Sequence, residues 1–453
     1  MVTFFKEAIL PIMIWLMVMG SVYIGLTKRP FVPLLLLAFL VCLPNVWYPA
    51  QDLPLGQKSM DLLILSSLIG VFTTGMKYQT PPKQGLLITL FIYTYISVWN
   101  TTMRYGLSLP FSLDNPVLAD WKNYVLMMLI YFSAFNVLRS EKEVRTLLTV
   151  MLGVVALLIV QNYRSIIAGE TYSQTNRASG PFGVVGLNCN HFGAFLADYA
   201  VAAFALLAAD KTDKWRRLLY AFIFFGGIYP IFYTYSRGAY LALMTGLVLI
   251  GVLRVRMILV LIALFAMNWD SILPESVVAR INMTSDSGGQ LEESAALRLV
   301  VWDLAKQLFG EHPVSGIGFN GFVFATTGMR LHNTHNFYLQ TAAEQGAIGC
   351  LLLGTVMLRS LWSGWKLFRS GGGFPSAVGL AFMSTTVTLL VTNVFGDRFS
   401  QMVMGGFFFM FMGGVDRLLV LQSDAAASAE PALSKRAARR KSGASRRTPP
   451  SMA

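Results

Sequence analysis

The chain has 453 residues, of which 55% are hydrophobic and only 13% charged, about half the charged fraction of an ordinary soluble domain. A water-facing surface of that size needs more charge, so a string of soluble domains is excluded and a membrane protein is indicated. The formal charge of +13 is no nucleic-acid footprint: residues 422–453 hold seven basic and two acidic side chains, and much of the remaining excess lies in short connections between apolar runs, where Lys and Arg fix topology.

Apolar runs long enough to cross roughly 30 Å of hydrocarbon recur along the chain. They lie near 8–26, 31–48, 59–76, 85–102, 123–138, 146–164, 190–209, 217–234, 238–253, 256–271, 347–366, 376–394 and 400–420. The first run follows a single early lysine, Lys6, and has no small-x-small cleavage pattern, so it reads as a retained anchor. Basic residues fill alternate connections, at Lys28 and Arg29, Lys77 and Lys83, Arg139 to Arg145, Lys211 to Arg217, Arg254 and Arg256, Lys366 and Arg369, and the tail. These connections are expected to be cytoplasmic. Thirteen spans place the amino terminus outside, whereas a re-entrant member of the first pair gives twelve spans with both ends inside.

The expected fold is an all-α polytopic membrane protein of about 12–13 transmembrane helices with a large, partly helical loop on the outside. Residues 1–271 hold ten transmembrane helices and a short outside loop at 165–189, residues 272–346 the large loop, and residues 347–421 three further transmembrane helices. The Ala-, Ser-, Pro- and Arg-rich segment 422–453 is expected to be a disordered cytoplasmic tail. In the large loop, Val301, Leu304 and Leu308 share one helical face. HPVSGIGFNGF at 312–322 then breaks regularity, and HNTHNFYLQTAAEQG reads as a second helix ending at Gly346. Loops of this length in compact architectures are usually functional.

Ionisable groups at a membrane edge are functional candidates, because burying one unpaired costs several kcal/mol. Arg237, in the tight turn of YTYSRGAYLAL, lies on the side where positive-inside bias gives no reason for it, and a guanidinium suits bidentate contact with phosphate oxygens. Its plain alternative is an arginine snorkelling among Tyr233, Tyr235 and Tyr240. Arg298 lies on the first loop helix, where Glu293 or Asp303 offers a simple salt bridge. His335, with Thr334 or Asn333 as helix cap, falls in a first helical turn, whose positive dipole end disfavours imidazolium and keeps a neutral general base. His332 suggests capping more than metal binding, since no third ligand stands at suitable spacing. Asn188, Asn190 and His191 mark a helix start, as caps or as partners for sugar hydroxyls. Asp198 requires a partner or a water-lined cavity, whereas Asp397 and Arg398, adjacent and opposite in charge, read as a structural pair. Cys42, Cys189 and Cys350 are too scattered for a disulfide framework or metal knuckle. No Walker loop, G-x-S-x-G elbow or D-x-D motif stands out.

SRG at 236–238, RLVVW at 298–302, HPVSGIGFNGF at 312–322 and HNTHNFYLQTAAEQGAIG at 332–349 together resemble the O-antigen ligase superfamily in order and spacing across roughly residues 170–410. KRPFVPLLLLAFL and DLPLGQ further resemble the exosortase-associated branch of putative O-glycosylation ligases. Asn336 and Gln345 stand where that branch often has serine and histidine. The resemblance implies an inner-membrane, lipid-dependent glycosyltransferase facing the periplasm. Such an enzyme moves a glycan from undecaprenyl pyrophosphate to a hydroxyl of a glycolipid, glycan or protein, with inversion and with no metal, nucleotide or other cofactor at the site. It further implies His335 as catalytic base, Arg237 and Arg298 with Arg177 at the donor pyrophosphate, and Asn190, His332, Asn336 and Tyr338 in support. A glycan polymerase using a second lipid-linked glycan as acceptor is the nearest alternative. A protein O-glycosylation ligase follows, and a transporter stands further off because it has no need of a histidine on the outer loop.

Overall fold

The computed structural model describes residues 9–112, 114–163, 177–283, 293–329 and 332–444, and among these every regular element is helical. The chain is a multi-pass membrane protein. In order the α-helices are α1 (Leu10–Thr27), α2 (Phe31–Leu40), α3 (Pro44–Trp47), α4 (Ser59–Thr73), α5 (Gln84–Tyr105), α6 (Pro116–Val137), α7 (Glu141–Tyr163), α8 (Cys189–Ala209) and α9 (Lys214–Tyr233). They continue as α10 (Arg237–Leu253), α11 (Met257–Ile272), α12 (Glu275–Asn282), α13 (Glu293–Glu311), α14 (Phe322–Ala325), α15 (Phe337–Phe368), α16 (Gly373–Thr392) and α17 (Phe407–Ala444).

Among the described residues each of the thirteen apolar runs overlaps helix. Among the described residues, seven helices are long and apolar enough to cross a membrane, or nine when two bent pairs each count as one span. The run at 31–48 is one such pair, turning by 103° between α2 and the helical stretch Pro44–Asp52. Pro44 explains the break, since a proline drives the residue before it out of helical geometry and Leu43 has φ −118° and ψ 59°. The second pair, α11 and α12, bends by 104° around Pro274, where the sequence suggested no helix at 275–282.

The centre of the bundle is α8, against which α9, α10 and α16 pack. Its alanines, among them Ala194, Ala197, Ala200 and Ala203, are buried. Small residues let helix backbones approach closely where lipid supplies no hydrophobic drive between helices. At the opposite extreme α11 buries no residue, and Met267 and Val260 are exposed, as on a lipid-facing helix.

One expectation at a helix end holds and one needs correction. The second loop helix ends at Gly346, whose φ of 62° and ψ of −163° are not helical, and the next apolar span starts directly after it, so that α15 is two helical segments meeting at a kink. The bend is fixed by close approach, because a Cβ at Gly346 would meet the carbonyl of Val314. The start of the tail is not disordered, since α17 continues to Ala444. Alanine, lysine and arginine are strong helix formers and extend a helix already nucleated by the buried Phe407–Leu418 stretch. The remainder of the tail, 445–453, lies outside the described residues.

Candidate functional site

The segment His312–Phe322 is a wedge between two membrane helices. Phe319 N–H donates to Ser97 O at 3.1 Å, and Thr101 Oγ1 donates to Phe319 O at 2.8 Å, both on α5. On the other side Ile317 N–H and Gly318 N–H donate to Ala343 O and Glu344 O of α15, at 2.9 and 2.8 Å. Gly318, at φ 111°, has no room for a Cβ beside the Thr101 backbone. The Glu344 carboxylate is buried and accepts from Asn320 N–H, Phe322 N–H and Gln340 Nε2. The apolar face of α13, with Val301 and Ala305 buried against Phe322 and Ala343, closes over this wedge as its spacing implied.

The histidine loop is tied to the same assembly. Trp302 Nε1 donates to Thr334 O at 2.7 Å, so the residue one turn beyond Arg298 holds the loop that carries His335. The helix cap is Asn336, neither Thr334 nor Asn333: its Oδ1 accepts from Tyr338 N–H and Leu339 N–H. Thr334 instead donates its hydroxyl to Asn336 O, and Asn333 Oδ1 accepts from His335 N–H. His335 therefore precedes the helix, in the left-handed region at φ 49°, and the dipole of a first turn is not what keeps it neutral. Burial is the main cause, followed by the positive charges of Arg298 and Arg398, and together they lower its pKa to about 4.

Arg398 was set aside in the sequence as the partner of Asp397, yet it belongs to this site. It is almost fully buried in the turn between α16 and α17, which is fastened when Asn393 Oδ1 accepts from Arg398 N–H and Phe399 N–H. Burial lowers its pKa to about 10, which leaves it cationic, and the carboxylates of Asp397 and Asp198 oppose that shift. Asp198 is thus the buried acid whose nearby charge is Arg398. His191 joins from α8, hydrogen-bonded to the backbone of Asp397 and within the fields of Arg398 and His335. The argument that singled out Arg237, an arginine in a connection where topology gives no reason for one, applied equally to Arg398.

The other predicted residues gather at the α9–α10 corner. Arg177 donates from Nε to Thr234 O at 3.1 Å and from Nη2 to Asn190 Oδ1 at 2.6 Å, clamping the start of α8 to the turn just before Arg237. Asn190 is therefore an acceptor for arginine, while Asn188 caps α8 in a reciprocal box with His191. Arg237 opens α10 and donates from Nη1 to Met283 O at 3.2 Å, beyond the end of α12. Its neighbour Gly238 lies flat on Phe395, three residues before Arg398, and a Cβ there would come within 3.0 Å of the ring. Tyr338 donates to Leu390 O at 2.7 Å and joins α15 to α16. His332 is exposed and is not the cap of α15, which is Asn336. Asp303, offered as a partner for Arg298, pairs with Lys306 at 3.0 Å. Among the described residues no three His, Cys, Asp or Glu side chains gather as a metal-ligand set.

Two cavities flank the site. An apolar groove of about 700 Å³ runs between α9, α10, α11 and α12, walled by residues such as Phe232, Tyr240, Phe265 and Trp269. Its lining reaches Tyr233, Tyr240 and Ile281, the neighbours in sequence of Arg237 and Met283. A polar cavity of about 740 Å³ lies toward α4 and α6 and touches the site at Phe337, Gln340 and Asp397.

Residues 219–354 match the family model described as O-antigen ligase. The matched stretch contains Arg237, Arg298, His332, His335, Asn336 and Tyr338 and omits Arg177, Asn190, His191 and Arg398. The match supports the superfamily resemblance and a membrane enzyme of glycan-transferring, ligase or polymerase type. No curated protein matches the chain.

Proposed function

We propose that the chain transfers a glycan from undecaprenyl pyrophosphate to an acceptor hydroxyl at the periplasmic face of a bacterial inner membrane, without a metal and with inversion. The observation that carries this reading is a half-buried neutral histidine within the fields of Arg298 and Arg398, in the stretch that matches the O-antigen ligase family. Arg237, between the groove residues Tyr233 and Tyr240 in sequence, and Arg298 bind the donor pyrophosphate, with Arg398 adding positive charge and Arg177 holding the corner that carries Arg237. The groove takes the polyprenyl tail, whose chemistry its aliphatic and aromatic walls match.

In the transfer the acceptor oxygen bonds to the anomeric carbon as the bond from that carbon to the pyrophosphate oxygen breaks. The electron pair leaves with undecaprenyl pyrophosphate, and the acceptor proton passes to His335. Arginine charge stabilises the departing anion, in the role a divalent metal has in other transferases. Attack opposite the leaving group inverts the anomeric configuration. KRPFVPLLLLAFL and DLPLGQ favour a place near the exosortase-associated branch.

The test is transfer by purified protein from a defined undecaprenyl-pyrophosphate glycan, with and without EDTA. His335→Ala is expected to abolish product while the protein remains in the membrane, and wild-type activity is expected to survive EDTA. Full activity of His335→Ala refutes the base, and EDTA inhibition reversed by one divalent ion refutes metal independence.

A further inference from the structure

Every polar group of Thr334, the fully buried residue before His335, has a partner. Its N–H donates to Gln340 Oε1 at 3.4 Å, its hydroxyl donates to Asn336 O at 2.6 Å and accepts from Asn336 N–H at 3.1 Å, and its carbonyl accepts from Trp302 Nε1 at 2.7 Å. Asn336 and Gln340 belong to the cap and first turns of α15 and move with the loop, whereas Trp302 stands on α13. The indole therefore ties this residue to a separate helix. A peptide unit is planar, so Thr334 C=O and His335 N–H are two edges of one plate. Trp302 holds the first edge, and Asn333 Oδ1 accepts from the second at 3.1 Å. His335 hangs from that plate at φ 49°, a left-handed geometry that a residue with a side chain keeps only where its surroundings over-determine it. Without the indole bond the plate is free to turn, and His335 relaxes toward ordinary backbone angles that aim its ring elsewhere.

The same helix supplies the point against which the base is aimed. Arg298 stands four residues before Trp302, and residues four apart share one face of a helix. The charge of Arg298 acts on His335, so arginine and indole both address the histidine loop. Val301 and Ala305, buried against Phe322 and Ala343, seat this stretch of α13 on the wedge and on α15. One turn of helix thus carries both a donor arginine and the clamp on the base. We propose that Trp302 is a positioning residue for glycan transfer, whose indole N–H keeps His335 in its left-handed aim and in register with Arg298. This rests on the glycan-transfer reading. The plain alternative is packing, since Trp302 also lies against the apolar cluster of Val301, Ala305, Phe322 and Ala343. A packing residue needs its ring and not its N–H, and that difference can be measured.

The experiment compares the full chain in lipid nanodiscs as wild type, as Trp302→Phe, and with benzothienylalanine at residue 302, which keeps the bicyclic ring and puts sulfur in place of the N–H. In both altered forms kcat for transfer from a lipid-linked glycan is expected to fall on the order of tenfold or more. The donor KM is expected to stay unchanged, the mark of a contact that serves the transition state alone. The melting temperature of the benzothienyl form is expected to match wild type. The chain has four histidines, so in histidine-labelled protein the NMR signal missing from His335→Ala is that of His335. Its titration midpoint in the free protein is expected to rise above wild type in both altered forms, because a loosened loop admits water. Equal kcat in wild type and the benzothienyl form, loss confined to Trp302→Phe, or a midpoint unmoved in the benzothienyl form overturns the proposal. Those results with normal transfer by wild type leave the glycan-transfer reading standing. Absence of transfer by wild type, with no undecaprenyl pyrophosphate bound in native mass spectrometry, brings down both.

Discussion

A histidine general base works only when neutral, so the causes that keep His335 neutral dictate a pH profile. Its pKa falls from an ordinary 6.5 to about 4, with burial the largest cause, Arg298 second and Arg398 third. In the role proposed for it, His335 of the free protein is therefore neutral throughout the neutral range. The acid limb of kcat/KM, which reports the free enzyme, is expected near pH 4. The total shift bounds the arginines, since burial is its largest cause and neither variant removes it. Removing a positive neighbour eases protonation, so Arg398→Gln and Arg298→Gln must move the limb upward from about 4, the Arg298 variant further, and both must stay below the ordinary 6.5. The limb of kcat should lie higher than that of kcat/KM, because bound pyrophosphate answers the arginines with negative charge. The assay is the initial rate of transfer from a fluorescent lipid-linked glycan at subsaturating donor, from pH 3.5 to 8. A wild-type limb near 6.5, a limb that stays put in both variants, or a downward shift refutes the reasoning.

Two further predictions concern the scaffold. Lys83, which is 1% exposed, donates to both oxygens of Asp416 at 2.6 and 2.7 Å and to Ser363 Oγ at 2.8 Å, and Tyr131 donates to the same carboxylate. Lys83→Met strands a buried carboxylate and should destabilise the protein by about 3–5 kcal/mol, read as a lower melting temperature in detergent, with Lys83→Met/Asp416→Leu recovering most of the loss; equal melting of the single variant and wild type contradicts this. Gly318→Ala forces a Cβ into the Thr101 backbone at φ 111° and should cost on the order of 2 kcal/mol or more, seen as reduced melting temperature and weakened activity, whereas Gly354→Ala, with open space around it, should leave both unchanged.

Most of the helical layout was legible because apolar runs of membrane length leave little choice: without water, each backbone polar group must be satisfied within the segment. Breaks inside a run were harder to read. Pro44 could be seen, but hydropathy alone does not distinguish a bent pair from one span. Lys83 reads in sequence as a topology lysine, and only the return of α17 brings Asp416 to it, 333 residues later. The cap of α15 was misplaced because His332-Asn-Thr-His-Asn offers three capping side chains and local sequence does not rank them. At the candidate site, motif and spacing single out His335 and Arg298 as candidates, whereas Arg398 was masked by the acid beside it. The pairing itself holds, since Asp397 offsets the Arg398 charge while its Oδ1 accepts from Ser400 N–H, but it hid the field that the arginine exerts on His335. The polar cavity had no signature at all, since its walls are drawn from six stretches of chain scattered between Val41 and Val403.

The break at Gly346 has a mechanical corollary. Where the helical ladder stops, Ala343 O and Glu344 O accept from Ile317 N–H and Gly318 N–H, and Ala347 N–H donates to Pro313 O at 2.8 Å. The short helix that Asn336 caps is thus latched by backbone bonds to the wedge rather than carried as an extension of the apolar span beyond it. Lesions in the wedge should therefore disturb the loop of His335 before they unfold the bundle.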